Sequence, residues 1–314
     1  MSTQTIGAPT AARTSLRGGS DPDRLRRTNK AWLFVAPFGL FYLAFLLGPS
    51  LYMFVASFFD TSIVKTGLGN FIGLENYTTL LSSSDFWSAM WHTLQFTLYT
   101  VPPLVVLSFV FAVLANRMQR GQIFWRMAFF TPFILPSAAI SLVWVFIFTA
   151  DTGLWATVQK GLGSEAPAPV LATPNLAMVG IAVATVWWTI GFNFILYLAG
   201  LQDIPRELYE AAAIDGATPW QQIRHLTIPL LSRTTTLVLL LQIIASLKIF
   251  DQVYLMTSGG PGTSTETALV FITKTGFTDY RIGAAAAASF VLFLVILVIA
   301  LVRQLLERAQ QKGA

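Results

Sequence analysis

The chain has 314 residues, of which 54% are hydrophobic and only 11% are charged, and its mean hydropathy is +0.63. Charged residues make up about a quarter of an ordinary soluble domain. This composition therefore excludes an ordinary soluble domain and indicates a membrane protein. The chain has no cysteine, which excludes disulfides and thiolate metal or redox chemistry. Its net charge is +5, and the positions of the basic residues along the chain decide how that charge is interpreted.

Six apolar runs are each long enough to cross a bilayer, which takes about 20 helical residues. In chain order they cover residues 31–58, 93–115, 124–148, 176–198, 237–256 and 284–302. We therefore predict an all-α, polytopic membrane protein with six transmembrane helices, in which a transmembrane domain over 31–305 lies between tails at 1–30 and 306–314. The polar start of the chain favours an uncleaved first span over a signal peptide.

The basic residues predict the orientation of the spans, because short cytoplasmic loops are rich in Lys and Arg. With both termini in the cytoplasm, the cytoplasmic parts hold 15 of the 20 basic residues, and the outer loops hold Lys65, Lys160, Lys274 and Arg281. The positive charge is then a topology signal, and it gives no support for nucleic-acid binding.

Four prolines lie within the apolar runs. Pro102 and Pro103 are in the second run, and Pro132 and Pro136 are in the third. Proline removes a backbone donor and kinks or breaks a helix, so we expect interruptions at both places. Such interruptions are tolerated where they line a cavity, which suits a translocation path.

The polar segment 203–229 lies between the fourth and fifth runs and predicts two short cytoplasmic helices. Asp203 and Pro205 are typical of a helix start, and Gly216 of a left-handed helix end. Thr218, Pro219 and Gln221 then form the pattern of a second helix start, with a cap, a first-turn proline and a capping box. Pro229 ends the second helix before the fifth span.

Three interpretations of this segment compete. It could lie on the lipid surface, form a DNA-binding helix pair or dock a soluble partner. Adjacent spans on both sides and an acidic first helix, with Glu207, Glu210 and Asp215 against Arg206, argue against DNA. The small side chains of Ala211 and Ala212 allow another protein surface to approach closely, which favours docking.

The spacing of this segment also resembles the cytoplasmic loop of ABC importer permeases. Glu210-Ala-Ala is followed after three residues by Gly216 and after nine more by Leu226-Thr-Ile-Pro229, with only Leu226 and Ile228 exchanging aliphatic types. Two further motifs, Phe71-Ile-Gly-Leu-Glu-Asn-Tyr77 and Gly259-Gly-Pro261, resemble the carbohydrate-uptake branch, which includes maltose-type and glycerol-phosphate-type permeases. The similarity covers almost all of residues 31–305.

The resemblance implies a type I ABC importer permease fold in the bacterial cytoplasmic membrane. This chain would form half of the pore with a second, homologous permease, and an extracytoplasmic solute-binding protein would deliver a sugar or sugar derivative. Two ATPase subunits or domains would carry ATP and Mg; this chain has no Gly-rich phosphate loop, so we expect no cofactor, no metal and no catalysis in it. The residues expected to couple to the ATPase are Glu210, Ala211, Ala212, Asp215, Gly216 and Pro229.

The expected substrate path lies on the fourth and fifth spans. By resemblance to the maltose-type permease, it is lined by Gly191, Phe194, Gln242, Ala245, Ser246 and Ile249, although Ala, Ser, Lys and Ile stand where that permease is rich in Asn. Asn193 joins the set because a polar group in an apolar run usually faces a cavity or the bundle. For Asn193 and Gln242, a purely helix-joining role stays open.

Other residues have simpler interpretations. Trp187 and Tyr197 suit interface anchors. Lys248 and Asp251, three residues apart, suit an ion pair on one helix face at the outer mouth, with contact to the substrate as the alternative. His92 is expected in an outer loop and His225 in the docking loop, which gives no enzyme-like set. A secondary transporter or channel, independent of ATP, is the alternative function.

Overall fold

The protein is described here by a computed structural model covering residues 34–64, 66–118, 121–164 and 166–312. Within those ranges the fold is helical, with two isolated antiparallel bridges and no strands, which confirms the all-α prediction. The helices are α1 Phe34–Ala56, α2 Glu75–Ser82, α3 Ser84–Arg117, α4 Gln122–Ile134, α5 Ser137–Phe148, α6 Leu154–Gly161, α7 Pro174–Gln202, α8 Arg206–Ile214, α9 Pro219–Leu230, α10 Ser232–Leu247, α11 Asp251–Thr257, α12 Ala268–Thr278 and α13 Ile282–Lys312.

Six spans result if each bent helix pair counts as one. Among the described residues, α1, α3, α7 and α13 are each long and apolar enough to cross a membrane alone. The pairs α4–α5 and α9–α10 qualify together and are bent by 96° and 64°. The last helix continues to Lys312, so most of the 306–314 tail is helical; residues 1–33, including the 1–30 tail, lie outside the described part.

The chain divides into two units between Tyr52 and Met53. In the first unit, α1 carries apolar side chains on all sides, as a helix in lipid requires. Its aromatic rings stack one turn apart, with centroids 6.0 Å apart for Phe38 and Tyr42 and 5.9 Å for Phe41 and Phe45.

The second unit is built on α3 and α7, which pack along each other. One core cluster joins α3 and α7 with α11, through Phe96, Ile181 and Val253. A second cluster joins the cytoplasmic halves of α3, α7 and α10. Glycines allow the close crossings, because a Cβ on Gly191 would lie 1.9 Å from the Phe129 carbonyl oxygen.

The two proline pairs behave differently. Pro132 and Pro136 do break the third span, since α4 ends at Ile134 and Pro136 caps α5. The predicted interruption at Pro102 and Pro103 is wrong, because α3 runs through both residues. Proline φ is compatible with a helix, and the neighbouring Thr100, Val101 and Leu104 are buried against the bundle, which holds the helix together despite the lost donors.

The fifth span is interrupted where no interruption was expected. The run 237–256 is not one helix, because α10 ends at Leu247 and α11 begins only at Asp251. The connecting residue Phe250 has φ −138° and ψ −61°, outside the helical region. The outer end of this span is therefore a separate short helix, which packs on α5.

The segments at the outer ends of the spans form a polar cap. The Asn76 side-chain amide donates to the carbonyl oxygens of Ser57 and Phe59, at 2.9 and 3.0 Å, and the Ser57 and Tyr77 hydroxyls share a 2.7 Å bond. The motif Phe71–Tyr77 thus fastens the chain that leaves α1. His92 lies within α3, so its prediction as a loop residue is wrong; its Nδ1 lies 3.2 Å from the Glu266 carbonyl oxygen.

Candidate functional site: docking loop and membrane cavity

The predicted docking loop is the segment 203–229. Its first helix, α8, ends in a Schellman motif. The Ala217 amide donates to the Ala212 carbonyl at 2.9 Å, and the Gly216 amide donates to the Ala213 carbonyl at 3.1 Å. Gly216 has φ +82°, which only glycine adopts without strain, so the predicted left-handed turn is present.

The second helix, α9, starts with the predicted capping box. The Gln221 side chain accepts from the Thr218 amide at 2.7 Å, and the Thr218 hydroxyl accepts from the Gln221 amide at 3.4 Å. Pro219 occupies the first turn, where its missing N–H costs nothing. Pro229 lies inside the last turn, and the helix ends one residue later at Leu230.

The docking loop exposes the residues expected to couple to the ATPase. Glu210, Ala211, Asp215, Gly216 and Pro229 are exposed, and Ala212 is half-buried. A groove of about 360 Å³ runs between the two helices, lined by Ala212, Asp215, Gly216, Ala217, Gln221, Gln222, His225 and Leu226.

The docking loop also exposes large apolar side chains that were not among the residues expected to couple to the ATPase. Ile214 is 87% exposed, Trp220 is 67% exposed and Leu208 is 42% exposed. Ile214 follows Glu210 and Ala211 at helical spacing and shares their face. An aliphatic residue at the end of a polar helix was the available signal, because exposed apolar side chains commonly mark interaction surfaces.

A cavity of about 200 Å³ with a mixed polar and apolar lining lies where α10 breaks. Four of the predicted path residues line it, namely Gln242, Ala245, Ser246 and Ile249. Its aromatic walls come from Phe96, Trp188 and Phe250, and its hydroxyl groups come from Thr100, Thr185, Thr189 and Ser246. Rings beside hydroxyl and amide groups match the two faces of a sugar, one of CH groups and one of hydroxyls.

Two buried hydrogen bonds tie the path residues to other helices in this conformation. The Gln242 side-chain amide donates to Oδ1 of the Asn193 side chain at 2.9 Å, and the Ser246 hydroxyl donates to the Thr97 hydroxyl at 2.9 Å. Asn193 is fully buried, and its amide nitrogen makes no hydrogen bond to another described residue. That nitrogen leaves a donor available at the α7–α10 contact.

Gly191 and Phe194 lie outside this cavity. Both face α4, where Gly191 contacts the Phe129 backbone and the Phe194 ring lies 5.2 Å from the Phe129 ring, centroid to centroid. Their place in the substrate path stays a prediction. Tyr197 is fully buried in the core, so the prediction of an interface anchor is wrong for it, whereas Trp187 is 44% exposed.

Lys248 and Asp251 do not form the predicted ion pair. Within the described residues the salt bridge present is that between Lys274 and Glu266, at 3.3 Å. The helix break separates Lys248 from Asp251, and the Asp251 carboxylate instead accepts a 2.7 Å bond from Ser137 at the start of α5. This bond joins α5, the outer half of the third span, to α11, the outer end of the fifth span. In the described part of the chain no group of three His, Asp or Glu side chains could hold a metal.

Comparison with known proteins places this geometry in a family. Residues 65–312 match the family described as "Binding-protein-dependent transport system inner membrane component". The sulfoquinovosyl glycerol transport system permease SmoG of Agrobacterium fabrum is 34% identical over 84% of this chain and 85% of its own length. The trehalose/maltose transport system permease MalF of Thermococcus litoralis is 32% identical over 86% of this chain and 92% of its own.

Solved structures have the same fold. A crystal structure of a bacterial alginate ABC transporter, in complex with a periplasmic protein that carries an alginate pentasaccharide, contains a chain with a TM-score of 0.81 and 22% identity. The similarity covers 92% of this chain and 98% of that one. The helix order, the docking loop and the family match agree, and this chain belongs to the binding-protein-dependent transport system inner membrane components, the multi-pass, pore-forming permeases of ABC importers.

Proposed function

We propose that this chain is the permease subunit of an ATP-driven importer for a sugar or sugar derivative. It forms half of the pore with a second permease, receives substrate from an extracytoplasmic binding protein and couples to separate ATPase subunits that bind ATP and Mg. The names of its relatives support the substrate class, since they include permeases for trehalose/maltose, arabinooligosaccharides and starch degradation products.

The observation that carries the coupling role is the exposed docking helix. Ile214 presents a large apolar side chain to the cytoplasm beside the acidic Glu210, on a helix whose end is held by Gly216. A surface that is apolar at its centre and charged at its edge fits a protein partner. The ATPase is the soluble partner that such a permease requires.

Gly216→Pro and Glu210→Lys test this role. Proline cannot adopt φ +82° and destroys the turn, while lysine reverses the charge beside Ile214. In the complex reconstituted with its partners, we expect ATP hydrolysis to continue with uptake reduced more than tenfold. The probe is whichever of trehalose, maltose and sulfoquinovosyl glycerol the binding protein retains.

Gly163→Pro is the matched control, because Gly163 also has a positive φ, +91°, but lies outside the docking loop. It should retain coupled uptake. Coupled transport at the normal rate in both docking-loop variants would refute the assignment.

The substrate path is proposed to run through the cavity at the α10 break, with Gln242, Ser246 and Asn193 as its polar groups. The supporting observation is that Gln242 and Ser246 line the cavity, while Asn193, which is not part of the lining, bonds to Gln242 and keeps an unbonded buried amide nitrogen. Gly191, Phe194, Ala245 and Ile249 complete the proposed path.

Alanine at Asn193, Gln242 or Ser246 should change the sugar concentration for half-maximal uptake or the maximal rate by several-fold. Ser141→Ala is the control, since Ser141 is also a buried serine with a local 2.8 Å bond but lies away from this cavity. Unchanged uptake in all three variants would show that these residues only join helices.

A further inference from the structure

A side-chain hydrogen bond joins the docking helix α8 to α9, the second helix of the loop. The Tyr209 hydroxyl, on α8, lies 3.0 Å from the Thr227 hydroxyl, on α9. Thr227 is only 2% exposed, and its hydroxyl also lies 3.4 Å from the Gln222 carbonyl oxygen. Either hydroxyl can donate in the bond between Tyr209 and Thr227, and in both cases the bond joins the docking helix to α9.

Thr227 lies near the end of α9, a few residues before α10, the helix whose residues line the cavity. Its carbonyl accepts from the Leu231 amide at 3.0 Å, at the 64° bend between α9 and α10. Leu231 is 1% exposed and belongs to the core cluster of α3, α7 and α10. A Cβ on Gly200 of α7 would lie 2.9 Å from the Leu231 side chain, so Leu231 packs closely against the backbone of α7.

The same helix carries the cavity residues on its outer half. Gln242 and Ser246 lie on α10, and Ser246 is roughly 22 Å from Leu231 at 1.5 Å per helical residue. A rigid helix transmits a displacement over such a distance, provided that its end is held. The bond from Tyr209 supplies that connection at the cytoplasmic end.

We infer that Tyr209 is the positioning residue that transmits motion of the docking helix to α10, through its hydrogen bond to Thr227. This inference rests on the proposed docking role of α8. It assigns coupling to a half-buried side chain that points into the loop, away from the exposed face formed by Glu210, Ala211 and Ile214.

The test compares Tyr209→Phe, Thr227→Val and the double variant in the complete reconstituted transporter. Each removes the same hydrogen bond while keeping the size of the side chain. We expect ATP consumed per sugar imported to rise several-fold in each single variant and no further in the double variant, because one interaction is lost in all three. The probe sugar is that chosen above.

Two conservative variants serve as controls. Thr227→Ser keeps the hydroxyl and should keep the normal ratio of ATP to sugar. Tyr280→Phe makes the same chemical change at an exposed tyrosine outside the docking loop and should also leave the ratio unchanged. Hydrogen exchange of amides 223–228, measured on the same complexes, should rise in Tyr209→Phe and not in Tyr280→Phe.

Several outcomes would overturn the inference. A normal ratio in Tyr209→Phe would do so, even with faster amide exchange, because the bond would then only stabilise the loop. Effects of Tyr209→Phe and Thr227→Val that multiply in the double variant would show two independent roles. Loss of the ATPase from purified Tyr209→Phe would place Tyr209 in the partner contact. Uptake by the wild-type complex without any ATP would instead refute the proposed function.

Discussion

Gly191 shows what a single side chain costs at the crossing of α4 and α7. A Cβ there would lie 1.9 Å from the Phe129 oxygen and 2.5 Å from its carbonyl carbon, both of which belong to the backbone. Backbone atoms cannot rotate away, so even a methyl group must push the two helices apart.

We therefore predict that Gly191→Ala lowers the free energy of unfolding by about 1–3 kcal/mol, the usual range for overpacking. Thermal unfolding of the detergent-purified protein measures it. Gly161→Ala is the control, because a Cβ on Gly161 has no neighbour within 4 Å. Equal melting temperatures for the two variants would show that the crossing relaxes without strain.

The residues that were hardest to predict are those whose role depends on a distant helix. The local pattern at Thr218 and Gln221 contains its own partners, and the capping box is confirmed. The partners of Gln242 and Asp251 come from other helices, Asn193 and Ser137, so no spacing along the chain indicates them. Tyr197 could not be told from an interface anchor, since burial depends on which helices pack around it.

At the scale of the element, the start of α9 depends on one hydroxyl. Thr218→Ala removes the side-chain acceptor for the Gln221 amide and should cost about 1 kcal/mol in local stability. We expect faster hydrogen exchange at amides 220–223 in this variant. Thr218→Ser retains the acceptor and should exchange as the wild type does; an equal increase in both variants would mean that the cap contributes nothing.

The spans were predictable, but their breaks were only partly so. The six spans are predictable because each crossing of the bilayer requires an apolar run of about 20 residues. Proline was an unreliable marker: it ends α4 near Pro136, yet α3 continues through Pro102 and Pro103. The break after Leu247 carries no proline or glycine and arises where the outer half of the span turns to pack on α5.

For the whole molecule, the predicted orientation places the docking loop inside the cell and the α11–α12 connection outside. The natural chain has no cysteine, so a single introduced cysteine is a unique label. In cells whose outer envelope layers have been removed and whose cytoplasmic membrane is intact, we expect a membrane-impermeant maleimide to label Thr263→Cys and not Ala213→Cys. Both positions are exposed and should react after permeabilisation. Labelling of Ala213→Cys in intact cells would contradict the orientation.

The polar cap at the outer ends of the spans links early and late parts of the chain. The Thr61 carbonyl accepts a 3.0 Å bond from the Gly283 amide, and Ser62 forms an antiparallel bridge with Arg281. Residue 283 leaves the ribosome more than 200 residues after residue 61, which takes roughly 10–45 s at ordinary synthesis rates. Until then the carbonyl of Thr61 lacks this partner, whereas Asn76 is already available to bond the carbonyl oxygens of Ser57 and Phe59. We therefore expect closure of the cap to be a late event in biogenesis, and a chain truncated before its last span lacks the bond from Gly283 to Thr61.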